Sequence, residues 1–268
     1  MSNLGAAAGW GLVVAASLLA GALAAALLRL PERVAAIATS FGGGILFAAI
    51  ALELVPEADA GAGPALTALG LLAGTLVYVG ADAWLSRDPK MDEMRRMGHA
   101  AAAGRPMSDM AVPDMAVPDA PGAPDHAIAA RGESIAVGIF VDGVPESIAL
   151  GLTIAEGEIG VALLAGVLIG NVVEAYGAAQ PILAGGLTRR FALGLLGGIG
   201  LALTLATIVG GTLLADASEK LVGTAQAVAA GAVLAVISIA IVPHAFNEVS
   251  RTVATATVAG FIAGYLLS

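Results

Sequence analysis

Residues 139–152 read IFVDGVPESIALGL and set two acids, Asp142 and Glu146, one helical turn apart with Pro145 between them. The segment around them is otherwise apolar enough to cross a bilayer. An ionisable side chain at mid-membrane costs about 2.5–3.5 kcal/mol on insertion scales, so such residues usually face a cavity and mark an ion or substrate path. A second polar cluster, Asn171 and Glu174 in IGNVVEAYGAAQP, follows in the next apolar segment. These four side chains carry the functional reading.

The rest of the chain sets them in a membrane. With 58% hydrophobic residues, 12% charged residues, 36 glycines and a mean hydropathy of +0.91, the composition is that of a membrane protein. A formal charge of −9 and no basic cluster exclude a nucleic-acid binder. Cysteine is absent, which removes disulfides, thiolate metal ligands and cysteine nucleophiles together.

Taking about 20 apolar residues per crossing, the sequence predicts an all-α membrane protein of eight spans: 9–28, 34–54, 65–85, 134–154, 159–182, 191–214, 221–242 and a last one starting near Asn247 and ending at Leu267. The first run has its arginine, Arg29, after it rather than before, the reverse of a signal peptide, so it is expected to be a retained span. With the N-terminus outside, Arg29, Arg33, Arg87, Lys90, Arg95, Arg96, Arg105, Arg131, Arg189, Arg190 and Arg251 fall on the cytoplasmic side and only Lys220 falls outside. That bias predicts external termini.

This divides the chain into three spans (1–86), a cytoplasmic loop (87–133), a central helix pair (134–182) and three further spans (183–268). The loop holds six of the seven methionines, His99, His126 and a tandem MAVPD repeat at 110–114 and 115–119. It reads as a disordered linker, a reading compatible with metal handling by its thioethers and imidazoles. The many glycines within spans read as helix-packing positions.

Asp142 and Glu146 enter from the cytoplasmic end of the fourth span, and Glu174 and Asn171 approach the same side at the end of the fifth. All four lie roughly 12–18 Å from that face at 1.5 Å per residue. Spacings of i,i+4 and i,i+3 put each pair on one helix face. Pro145 cannot donate to the Val141 carbonyl, which predicts a kink and a free oxygen, and Gly143 permits close approach to the backbone. Three carboxylates, an amide oxygen and a carbonyl make an oxygen-rich set suited to a divalent cation; the alternative is protonated acids that only bond helix to helix. Glu53 and Glu57 line an entrance or are solvated at the interface. Asp82 reads as a solvated helix end, and His244 as an exit residue or a polar cap.

At these residues the chain resembles the ZIP (Zrt- and Irt-like protein) family of divalent metal transporters. DGVPES at 142–147, followed by IALGL, occupies the place of the family's fourth-helix His-Asn-x-Pro-Glu-Gly. GNVVEA at 170–175 is similar to its fifth-helix Gln-Asn-x-Pro-Glu-Gly, and ELVPEA at 53–58 to its second-helix His-Leu-Leu-Pro-Glu-Ala. Asp142 replaces the family's metal-binding histidine, Gly143 the asparagine and Val173 the second proline. Ile239 and Ala240 stand where relatives often have an acidic pair, and His244 where they have glutamate.

The resemblance implies a 3+2+3 arrangement with inverted three-helix repeats, a homodimer in the cell membrane, and transport of a divalent ion toward the cytoplasm by alternating access. It implies Glu146, Asn171 and Glu174 as metal ligands, with Asp142 a substituted ligand. The cargo is Zn2+ or a similar ion such as Fe2+, Mn2+ or Cd2+, and an all-oxygen shell favours the harder ions. No cofactor is expected. Lacking a nucleophile, a histidine ligand set and an HExxH motif, the chain is not expected to be an enzyme, an intramembrane hydrolase being the remote alternative. A transport-inactive metal sensor or scaffold is the nearer one.

Overall fold

A computed structural model describes residues 3–28, 30–85, 87, 126–155, 157, 160–184, 187–214 and 217–268. Among them there is no strand. The helices are α1 (Asn3–Leu27), α2 (Glu32–Ala49, continuing through a π-helical turn Ile50–Leu54 into Val55–Ala62), α3 (Pro64–Leu85), α4 (His126–Ala155), α5 (Val161–Ala184), α6 (Arg189–Leu213), α7 (Glu219–Val236, a π-helical turn Ile237–Ile241, then Val242–Val249) and α8 (Thr252–Leu267). Seven of these, α1 to α7, are long and apolar enough to cross a membrane. The 16-residue α8 extends only about 24 Å, short of a ~30 Å hydrocarbon core.

The distribution of side chains is that of a bundle dissolved in hydrocarbon. Large aliphatics point outward, Leu69, Leu72, Leu76 and Val77 on α3 and Leu201, Leu205 and Leu213 on α6 among them, while Asp142, Glu146, Asn171, Thr207 and Gln226 lie inside. Water would reverse that arrangement. The chain is therefore an all-helical, multi-pass membrane protein.

Proline placement explains the two π turns. Pro56 has no N–H for the Leu52 carbonyl, and just before it the ladder widens by one residue, the Val55 N–H bonding to Ile50 O. The same happens ahead of Pro243, where the Val242 N–H bonds to Ile237 O. Pro145, where a kink was expected, sits inside a helix that continues across it.

Boundaries differ from expectation at several places: α1 starts at Asn3 rather than 9, and α2 runs through its π turn to Ala62 rather than ending at 54. Helix α4 starts at His126, ahead of the expected 134, where alanine, the strongest helix former, fills three of the five positions of HAIAA. Asn247 belongs to the end of α7 rather than the start of α8: α7 runs on to Val249, and the chain turns at Ser250, whose φ of +49° ends the helix. The rest of the methionine-rich loop lies outside the described residues.

Helices α1, α4, α5 and α6 pack on one another, and α3 packs along α7 as α8 packs along α2. Small residues make the second set of crossings close. Gly74 of α3 lies against the Val228 carbonyl of α7 and Gly231 of α7 against the Leu71 carbonyl of α3, so a Cβ at either would overlap backbone. Gly44 and Gly260 do the same between α2 and α8, against the carbonyls of Thr257 and Phe41. Packing was the expected role for Gly44 and Gly74. Gly198, on the open side of α6, meets nothing. At the turn joining α1 to α2, the Tyr176 hydroxyl of α5 accepts from the Leu30 N–H at 2.6 Å and donates to the Leu28 carbonyl at 3.3 Å.

Candidate functional site

Helices α4 and α5 pack side by side and bring the expected polar residues into one region. On α4, Asp142 and Glu146 are 6% and 7% exposed and Ser147 is fully buried; on α5, Asn171 is 2% exposed and Glu174 is partly buried. The charges of Glu174 and Asp142 both act on Glu146, and that of Asp142 acts on Glu174, so the three acids are within electrostatic reach of one another. Like charges packed into a low dielectric repel, and the strain is relieved by a cation among them or by protons on them.

The arrangement stops short of a ligand cage. Among the described residues no three His, Cys, Asp or Glu side chains stand close enough together to hold a metal ion. Asp142 is engaged instead with a residue the sequence reading passed over: the Tyr78 hydroxyl of α3 donates to Asp142 Oδ1 at 2.5 Å. Tyr78 is itself buried. Its position was there to be read, since 65–85 places it about as far from the cytoplasmic end of its span as Asp142 is from that of its own, roughly 10–12 Å.

Two buried polar atoms at this place have no hydrogen-bond partner within the protein, Asn171 Nδ2 and Ser147 Oγ. Leaving a buried polar group unpaired costs about 1–3 kcal/mol. An amide can present either its nitrogen or its oxygen by a half-turn, so Asn171 can offer an acceptor to a cation or a donor to a bound water. Gly143 serves packing rather than ion approach, because Leu203 of α6 fills the space where its Cβ would stand, 2.8 Å from Leu203 Cδ1.

The second pair of acids, Glu53 and Glu57, is neither free nor simply solvated. Glu53 sits in the π turn of α2 and reaches the start of α5, its Oε1 accepting from the Ala162 N–H at 3.2 Å and its Oε2 from the Leu163 N–H at 3.4 Å. A carboxylate there satisfies orphan donors and meets the positive end of the helix dipole. Glu57, one turn on, accepts at Oε2 from Nε2 of Gln226 on α7 at 3.0 Å. Gln226 is fully buried, and it is the second residue the sequence reading missed. Asp82, expected at a solvated end, is partly buried one turn beyond Tyr78. The side chain of His244 lies outside the described residues, as do His99 and the side chain of His126.

Compared with models of known protein families the chain matches none, and no curated protein matches it in sequence. Fold and site together define a class: a multi-pass helical membrane protein with three acids gathered in the interior of its bundle.

Proposed function

We propose that this protein is a carrier for a divalent metal ion, a divergent relative of the ZIP transporters, moving its cargo toward the cytoplasm by alternating access. The observation that carries the reading is the group Asp142, Glu146 and Glu174, three acids in mutual electrostatic reach on two packed helices, beside Asn171, whose amide nitrogen has no partner. Acids are kept inside a membrane bundle at a cost that a cation offsets. The cargo would be held by Asp142, Glu146, Asn171 and Glu174, all through oxygen, a set that suits Mn2+ or Fe2+ and also accepts Zn2+ or Cd2+.

In this reading α8 is the eighth span, both termini are external, and α1–α3 and α6–α8 are inverted repeats of one another. Support comes from the chain itself. IALELVPEA at 50–58 and ISIAIVPHA at 237–245 each carry a π turn followed by Val-Pro-x-Ala, and α3 on α7 mirrors α8 on α2. Repeat-related bundles rocking about a fixed site are a general means of alternating access. Ions would enter past Glu57 and Gln226, leave near His244, and the carrier would work as a homodimer in the cell membrane.

Uptake of Mn2+, Fe2+, Zn2+ and Cd2+ into proteoliposomes holding correctly inserted protein tests this directly. Saturable uptake of at least one ion is the expected result. Binding with no flux of any of the four would move the assignment to a metal sensor or scaffold.

A further inference from the structure

The bond between Tyr78 and Asp142 joins two helices that otherwise touch little. Helix α3 packs along α7, and α4 along α5 and α6, whereas α3 and α4 are not packed along each other. Between α3, α4, α6 and α7 lies an apolar cavity of about 580 Å³, lined by Val77 next to Tyr78, by Val144 and Pro145 just past Asp142, and by Val209 and Ala229. Beside that cavity the phenol of Tyr78 donates to Asp142 Oδ1 at 2.5 Å, with both residues buried. A hydrogen bond in a buried, low-dielectric setting is stronger than the same bond in water.

This bond has a consequence for the acid group. Asp142 is within reach of the charges of Glu146 and Glu174, yet the three carboxylates do not stand close enough to share an ion. For all three to enter the inner shell of one cation the carboxylates have to draw together, and a shift of Asp142 toward Glu174 on α5 would come at the expense of the bond its Oδ1 accepts from Tyr78 on α3. Resting on the metal-carrier reading, we infer that Tyr78 is a loading tie: its hydroxyl competes with the cation for Asp142, and ion binding releases α4 from α3. The tie sets how tightly the ion is held and couples its arrival to the relative position of the two helices.

The test uses the full chain in lipid nanodiscs, with Mn2+ and Zn2+ alone as probes. Tyr78→Phe removes the hydroxyl and keeps the ring. It is expected to bind the ion about tenfold more tightly than the parent protein, the equivalent of one buried hydrogen bond no longer surrendered. The gain should vanish when Asp142→Ala is also present. Unchanged or weaker binding by Tyr78→Phe overturns the inference, since a hydroxyl that merely oriented Asp142 as a ligand would weaken binding when lost.

A second measurement separates this from the fate of the carrier reading. In chelator-treated protein, a thermal-unfolding cycle of Tyr78→Phe, Asp142→Ala and the double variant should show a smaller loss for the double variant than the sum of the singles. Additive losses overturn the tie whatever the protein binds. Absence of any ion binding that depends on Glu146 and Glu174, with the cycle still non-additive, would overturn the carrier reading and the competition with it.

Discussion

Two stretches of this chain carry the same local pattern of an acid, a spacer and Val-Pro-Glu: ELVPE at 53–57 and DGVPE at 142–146. Each puts two acids on one face of a helix, one turn apart. In α2 the proline follows a π turn, and both acids are bound to neighbours, Glu53 to the first amides of α5 and Glu57 to Gln226. In α4 the helix continues across the proline, Asp142 is tied to Tyr78, and Glu146 faces the charges of Asp142 and Glu174. Identical spacing thus yields a structural pair in one place and an electrostatically frustrated pair in the other. What decides is the neighbour: α5 offers α2 its positively polarised end, and offers α4 another acid.

The comparison predicts unequal consequences for equivalent substitutions. Glu146→Ala or Glu174→Ala should reduce metal uptake in proteoliposomes to that of empty vesicles, with the protein still eluting as the parent does by size exclusion. Glu57→Ala should only slow uptake. The reverse ranking would put the ion site in α2 and break the distinction. Next in size, Asp142→His introduces imidazole into an all-oxygen group and should raise the preference for Zn2+ over Mn2+ by on the order of tenfold in competition uptake. A smaller effect is expected of Glu57→Gln, which removes the charge but retains an acceptor for Gln226: initial uptake rates should fall a few-fold, and more at low ionic strength, where attraction of a cation to an entrance carboxylate is least screened.

How far these roles could be read in the sequence follows from what each depends on. The helices and the shared depth of Asp142, Glu146, Asn171 and Glu174 depend on hydropathy and on counting 1.5 Å per residue, and both are properties of single segments. Tyr78 was passed over because a tyrosine in an apolar run, VYVGAD, reads as packing; only the rotation of α3 about its axis turns the phenol toward Asp142, and hydropathy does not encode rotation. Gln226 and the capping by Glu53 depend on contacts spanning 169 and 109 positions of the chain, which no local pattern specifies. The extension of α7 beyond 242 escaped notice for a different reason: Pro243 looks like a helix end, but a proline in the first turn after a π bulge leaves no further hydrogen bond to lose.

The smallest effect sharpens the comparison most, because it concerns an acid that looks like its counterpart and is given a different task. Glu53 bonds two backbone amides of α5, and a group that satisfies orphan donors at a helix start contributes about 0.5–2 kcal/mol. Glu53→Ala should therefore lower the unfolding midpoint in detergent, with Glu53→Gln recovering part of the loss, since an amide oxygen still accepts but no longer brings a full charge to the dipole. The corresponding substitution in α4, Asp142→Asn, keeps an acceptor for Tyr78 and takes one carboxylate out of a group of three buried acids, so it should leave the midpoint unchanged or raise it. Opposite signs in one thermal assay would establish that the two Val-Pro-Glu helices differ in what surrounds them and not in what they are made of. A drop of equal size in both would mean that the acids of α4 are structural too.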